Sequence, residues 1–258
     1  MVNLEQMVKN LVISDVHAPF QDDSAVAIVM AYAKDYKPDN VIINGDLVDF
    51  YSLSMWDKSP ERKENVEKEV YETTKILHNL RSSIGKDANI TLLEGNHENR
   101  LQRFLWANQA LYGLDALKLD KLLDLDKYGV DLVLSDRDYW GKATGHIKQG
   151  DAIIMHGDNR INGAKGGMNA GYNTMKSMGT SSIIGHTHRL SMRSHTTPYH
   201  DWVGIECGNL CQPTGTADWQ QGFVTFTTDD KTGKNHSYEL HRIKDGVMYE
   251  SDYTYTVE

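Results

Sequence analysis

The chain has 258 residues, and 36 acidic against 27 basic side chains leave a formal net charge of −9. Its 40% hydrophobic and 24% charged residues can build a packed core and exclude a disordered chain, and two cysteines exclude a disulfide framework. The acidic excess argues against non-specific binding to nucleic acid or membrane, with a local basic groove as the exception.

The start, Met1-Val2-Asn3-Leu4-Glu5-Gln6, is polar, and the first apolar run ends at Asp15. A signal peptide needs a cationic start and a longer apolar stretch, and no run approaches the roughly 20 apolar residues of a membrane span. The expectation is a cytoplasmic chain with no membrane partner, in the host cytoplasm if phage-encoded.

Leu11-Val12-Ile13 reads as a buried strand that stops at Ser14-Asp15-Val16-His17. Asp22 or Asp23 can cap a helix running to about Tyr36. Val41-Ile42-Ile43 is the next strand and ends at Gly45-Asp46. Residues 60–80 have helical spacing: Pro60 suits a first turn, and Val66, Val70 and Leu77 form the inward stripe. Ile90-Thr91-Leu92-Leu93 is a third strand, followed by Gly95-Asn96-His97-Glu98. Residues 99–128 read as helical, with Leu101, Leu105, Leu111, Leu114, Leu117, Leu122 and Leu125 as core candidates, and 129–150 are mixed. Ala152-Ile153-Ile154-Met155 leads into His156-Gly157, and Ser181-Ser182-Ile183-Ile184 into Gly185-His186-Thr187-His188. From Trp202 the pattern turns β, through Val203-Gly204-Ile205, Gly222–Phe226 and an alternating tail with Tyr249, Tyr253 and Tyr255. Strand, loop and helix in alternation predict an α/β fold whose neighbouring strands are largely parallel. With no repeat or linker, residues 1–258 are expected to form one domain, with 99–150 a helical or irregular embellishment shaping the cleft.

Five apolar runs thus end in side chains that bind metals: Asp15/His17, Asp46/Asp49, Asn96/His97, His156 and His186/His188. One Asp-x-His pair means little, since Asp, Asn and Gly favour turns and helix caps anyway. Five of the eleven histidines gathered at strand ends are not explained that way, and the carboxyl ends of strands are where α/β sheets place their sites. Carboxylate and imidazole suit Mn, Fe, Zn and similar ions, and the lack of thiolates argues against a closed structural zinc site. A pair of such ions can activate water and clamp a phosphoryl group, with Asp46 placed to bridge them.

In order and spacing, Asp15-Val16-His17, Gly45-Asp46-Leu47-Val48-Asp49, Gly95-Asn96-His97-Glu98, His156-Gly157 and Gly185-His186-Thr187-His188 resemble the motif set of the calcineurin-like metallophosphoesterases. The resemblance covers residues 11–188, and Ser-Asp-x-His-Ala-Pro-Phe is similar to bacterial and phage members. It implies a four-layer α/β/β/α sandwich of two mixed sheets packed face to face with helices outside. It also implies two divalent ions, manganese first, with Fe, Zn, Ni or Co as alternatives. Asp15, His17 and His188 would hold one ion and Asn96, His156 and His186 the other, with Asp46 bridging and a metal-bound hydroxide as nucleophile. His97 would serve as general acid or charge stabiliser, and Asp49 would orient it and keep it protonated. The implied reaction is hydrolysis of a phosphodiester of nucleotide or nucleic-acid type. The alternatives are a phosphomonoesterase acting on a small molecule, nucleotide or phosphoprotein, and a noncatalytic metal-stabilised binding protein.

The phosphoprotein phosphatase branch carries an Arg directly after Gly-Asp-x-x-Asp, where this chain has Phe50. Arg100 matches an Arg of that branch, which makes it, with Asn96, the candidate substrate contact; its competing reading is a salt bridge at a helix start. The glycine-rich segment 158–168 reads equally as a substrate loop or a plain connection. Cys207 and Cys211 read as small apolar fillers.

Overall fold

The computed structural model describes residues 7–135, 145–158, 167–212, 218–250 and 254–256. In chain order, β1 (Met7–Ile13), α1 (Asp23–Tyr36), β2 (Asn40–Ile43), α2 (Val66–Ile84) and β3 (Asn89–Leu93) form the first half. Three short helices follow, α3 (Asn99–Ala107), α4 (Leu119–Leu122) and α5 (Leu125–Tyr128), and then β4 (Val130–Val133). Next come β5 (His146–Gln149), β6 (Ala152–Met155), α6 (Ala170–Met178), β7 (Ser181–Ile184), β8 (Leu190–Thr196) and β9 (Asp201–Cys207). The chain closes with β10 (Gln221–Asp229), β11 (Asn235–Lys244), β12 (Val247–Tyr249) and β13 (Thr254–Thr256).

The strands build two mixed sheets, ordered β13-β12-β11-β10-β1-β2-β3-β4 and β5-β6-β7-β9-β8. β1 to β4 run parallel, as do β6, β7 and β9, and antiparallel strands flank both sets. Alternation along the strands sorts the apolar side chains into layers. Val12, Ile42, Leu93, Val224 and Phe226 meet Ile154, Ile183, Ile205 and Cys207 between the sheets. Leu11, Ile13, Val41 and Ile43 face the other way, onto α1 and α2, while Met155 and Ile184 pack with Ala170 of α6. The layers therefore run helices, sheet, sheet, helix, as the resemblance implied. Each fully buried aliphatic side chain in these layers contributes about 1.5–3 kcal/mol.

Two expected helices differ. The helix expected over 60–80 starts at Val66, because the Asn65 side chain accepts from the Lys68 N–H at 2.9 Å and caps it there. The stretch expected to be helical over 99–128 breaks into three pieces, with Asp124 (φ 50°) and Gly129 (φ 60°) in left-handed backbone at the ends of α5. Segment 99–150 also supplies β4 and β5, each at the edge of a sheet. Among the described residues no helix is long and apolar enough to cross a membrane.

The registers fix the site. Ile13 lies beside Ile43, Ile43 beside Leu92, and Met155 beside Ile184. β1, β2 and β3 therefore end level in one sheet and β6 and β7 in the other, and the Asp15–His188 and Asp46–His156 contacts bring both ends to one edge of the sandwich.

Candidate metal centre

The turns that follow these strands are bent sharply. Asp15, His17, Asp46, His186 and His188 have φ between 53° and 60°, a left-handed region that disfavours side chains by roughly 1–2 kcal/mol each. Non-glycine residues held there cluster at functional sites. Glycines allow the turns to touch. A Cβ on Gly95 would lie 2.2 Å from Asp46 Oδ1 and 2.6 Å from its amide nitrogen. Gly95→Ala is therefore expected to displace Asp46 and lower metal affinity by at least about tenfold, the loss typical of a disturbed ligand orientation. Metal content of the purified variant checks this, and parental content would show that the contact is relieved without moving Asp46.

Among the described residues, three groups of ligand-type atoms form along the edge, one of them His17, Asp49 and His97. Those of Asp15, His17 and His188 lie within 4.8 Å of one another, as do those of Asp46, His156 and His186. His188 Nε2 is 3.2 Å from both Asp15 Oδ1 and His17 Nε2. His156 Nε2 is 3.1 Å from Asp46 Oδ2 and 3.2 Å from Asn96 Oδ1. Asp46 Oδ2 also lies 3.7 Å from His17 Nε2, so this carboxylate stands between the clusters. All seven residues proposed as ligands from the sequence meet here.

The donor set fits divalent ions. Three imidazoles have one nitrogen tethered and the other turned inward. His156 Nδ1 is 2.8 Å from the Asn44 carbonyl, His17 Nδ1 is 3.0 Å from Asp49 Oδ2, and His188 Nδ1 is 3.7 Å from Cys211 Sγ. Such outer partners fix the tautomer of metal-binding histidines. Asp15 accepts from the His186 N–H at 2.9 Å and from the Ser14 hydroxyl. Burial disfavours charge on these groups, but opposite charges outweigh it. Against burial, His188 and His17 hold the Asp15 carboxyl below its ordinary range, and His156 and His97 do the same for Asp46. Against burial, the carboxylates of Asp15, Asp49 and Asp46 raise His17 to about 10, and Asp46 raises His156. His186 is lowered by burial and by the neighbouring His156.

His97 and Asp49 meet as expected, with His97 Nδ1 3.0 Å from Asp49 Oδ2 and 3.1 Å from its carbonyl. Arg100 is placed differently from the substrate contact expected of it. Its Nη1 donates to the Asp49 carbonyl and Oδ1 at 2.8 and 2.9 Å, and its Nη2 lies 3.1 Å from His97 Nε2. A guanidinium only donates, so His97 Nε2 is the acceptor in this arrangement, not the proton carrier. Phe50 is fully buried in the core beneath the first sheet and presents nothing to the site.

Sequence reasoning left several neighbours without a role. Buried Glu98 accepts four backbone N–H groups, from Asp46, Leu47, Val48 and Gly95, at 2.6–3.1 Å. Burial and the Asp46 charge push its carboxyl up to about 7. The site opens into a cleft of about 410 Å³, walled by Phe20, Arg62, Cys211, Gln212 and Trp219 as well as Asp46, Asn96, His97 and His186. The Trp219 ring lies 4.1 Å from that of His188. Cys211, expected as filler, is buried yet lines this cleft; Cys207 is filler between the sheets. Of the glycine-rich segment 158–168, residues 159–166 lie outside the described residues.

A family model described as calcineurin-like phosphoesterase matches residues 8–190. The Gene 54 protein of Mycobacterium phage D29 is 33% identical over 242 residues, covering 85% of this chain and 88% of the phage protein. The Gene 54 protein of Mycobacterium phage L5 is 31% identical over 243 residues, with the same coverage. Among solved structures, wild-type Vps29 of Entamoeba histolytica complexed with zinc aligns over 92% of this chain and 98% of its own, at 14% identity and a TM-score of 0.42.

Proposed function

The chain belongs to the calcineurin-like phosphoesterase family, and on that premise we propose that it hydrolyses a phosphodiester of nucleotide or nucleic-acid type. Asp15, His17 and His188 would hold one divalent ion, and Asn96, His156 and His186 a second, with Asp46 shared and manganese the first choice. When bound, such ions activate water and neutralise charge on the phosphoryl oxygens. The observation that carries this reading is the pair of nitrogen and oxygen clusters on either side of Asp46.

The remaining roles follow from position. Asp49 anchors His97 and Arg100 and so fixes both against the cleft wall. With Nδ1 held by Asp49, His97 would stabilise charge at the phosphoryl group, and would act as general acid only after Nε2 takes up a proton from solvent, which it then gives to the leaving oxygen. Asn96 lines the cleft and can also meet the substrate. The preference for a diester rests on charge. Among the described residues, Arg62 is the only Arg or Lys lining the cleft. A diester brings one negative charge to the phosphoryl group and a monoester up to two. The phage relatives support the host cytoplasm as the place of action.

Bis(4-nitrophenyl) phosphate and 4-nitrophenyl phosphate, each with added manganese, separate the two ester classes. The expected kcat/KM for the diester is at least about tenfold the higher, a difference of ~1.4 kcal/mol in transition-state binding. A preference for the monoester would replace the reading with a phosphatase, and turnover of neither would remove it. His97→Ala is expected to keep its metal and lose about 10²–10⁴ in kcat, the usual worth of a positioned proton donor. Full retained activity would take His97 out of the reaction.

A further inference from the structure

The cleft offers a phosphate ester very little fixed positive charge. Arg100 is spent on Asp49 and on His97 Nε2, and Arg189 on Asp218 and the Gly167 carbonyl. Arg62 differs: it lines the cleft, and among the described residues no carboxylate pairs with it.

It is nevertheless held. Its Cζ lies 4.4 Å from the Phe20 ring centroid and 5.0 Å from that of Tyr51. Those rings pack edge to face at 5.9 Å. Its backbone is folded back over the same turn: Arg62 N donates to the Ser59 carbonyl at 3.1 Å, and Ser59 N donates to the Tyr51 hydroxyl at 2.8 Å. The turn is itself anchored, because buried Glu69 accepts from Ser52 N and Ser52 Oγ at 3.1 and 2.6 Å. A guanidinium held over aromatic rings is attracted by the ring faces and leaves its N–H donors for other partners. Among the described residues none of those side-chain donors has an acceptor. A planar fork of unspent donors at the wall of a phosphate cleft matches two oxygens of a phosphoryl group.

We propose that Arg62, held over the Phe20 and Tyr51 rings, is the substrate-gripping cation of this cleft and donates to the non-bridging oxygens of the phosphate ester. The proposal rests on the phosphoesterase reading and adds to it the residue that binds the ester. Phe20 and Tyr51 act as positioning residues, holding the guanidinium where the ester arrives.

The test compares the parent with Arg62→Ala and Arg62→Lys, both at an exposed position that leaves the core untouched. KM and kcat are measured on bis(4-nitrophenyl) phosphate, and binding of inorganic phosphate to the manganese-loaded chain by titration calorimetry. Arg62→Ala is expected to raise KM and weaken phosphate binding by about 10- to 100-fold, the worth of a hydrogen-bonded charge. Lysine is expected to recover only part, because it cannot stack and fork together. KM and phosphate affinity within about twofold of the parent in both variants would overturn the proposal. A parent inactive on every phosphate ester would overturn the hydrolase reading instead, and the phosphate titration would still report on Arg62.

Discussion

Asp46→Asn is expected to deplete both ion sites at once. The substitution keeps the shape of the side chain and removes its charge. Asp46 Oδ1 accepts from the His97 N–H at 2.9 Å, and the amide oxygen of Asn can take over that bond. The other position, now an NH₂ group, then faces His156 Nε2 at 3.1 Å and His17 Nε2 at 3.7 Å. A neutral donor would stand where the two proposed ions share an anion. Loss of an outer partner alone costs roughly 10–100-fold in metal affinity, so loss of the shared ligand is expected to exceed that for each ion. Metal per chain after dialysis is the measurement, with circular dichroism to show that the fold is retained. A depletion confined to one ion would place Asp46 in one cluster only, and parental content would remove it from both.

Glu98→Ala is expected to be the most destabilising single change at this edge of the sandwich. Glu98 is 1% exposed, and its carboxylate is the acceptor for four N–H groups of the turns that carry Asp46 and Asn96. Truncation leaves those donors buried without an acceptor, at about 1–3 kcal/mol each before the turns relax. Even partial relaxation leaves a loss of roughly 3–5 kcal/mol, against about 5–15 kcal/mol for a typical domain. Glu98→Gln keeps the volume but turns one NH₂ toward the same N–H groups, and a loss of at least ~1 kcal/mol is expected from that mismatch. Urea midpoints of the two variants check both figures. Unchanged midpoints would show that water replaces the carboxylate and that Glu98 does not hold the turns.

The candidate ligands were legible because each lies directly after an apolar run, and strand ends in a parallel sheet converge whatever the loops do. The four-layer architecture came with the motif resemblance. Less was legible where local pattern competes with a contact distant in sequence. Pro60 suits a first helical turn, yet the Asn65 cap sets the start of α2. Leucines spaced from 101 to 125 suggest one long helix, but the chain breaks into short pieces: Leu101, Leu105 and Leu125 are buried in the core, Leu117 and Leu122 pack against it, and Leu111 and Leu114, expected in the core, are exposed. Arg100 follows the motif closely enough to suggest a substrate contact, and only the three-dimensional arrangement turns it onto Asp49, 51 residues away. Glu98 sits inside a motif already read, but its four acceptor bonds span as many as 52 residues, and side-chain identity gives no sign of them. Arg62 falls in the stretch 60–80 that reads as helical; its place over Phe20 and Tyr51 depends on a loop fold with no local signature.

In the proposed reaction, ions held on both sides of Asp46 would drive phosphodiester hydrolysis. The most direct test strips the purified chain with a chelator and adds manganese back in steps. Bound metal and turnover of bis(4-nitrophenyl) phosphate are followed together. No turnover is expected in the stripped chain, and binding is expected to saturate at about two ions per chain, with full activity only once both are bound. Full turnover after stripping, or none at saturating manganese with the fold intact, would contradict the proposed reaction.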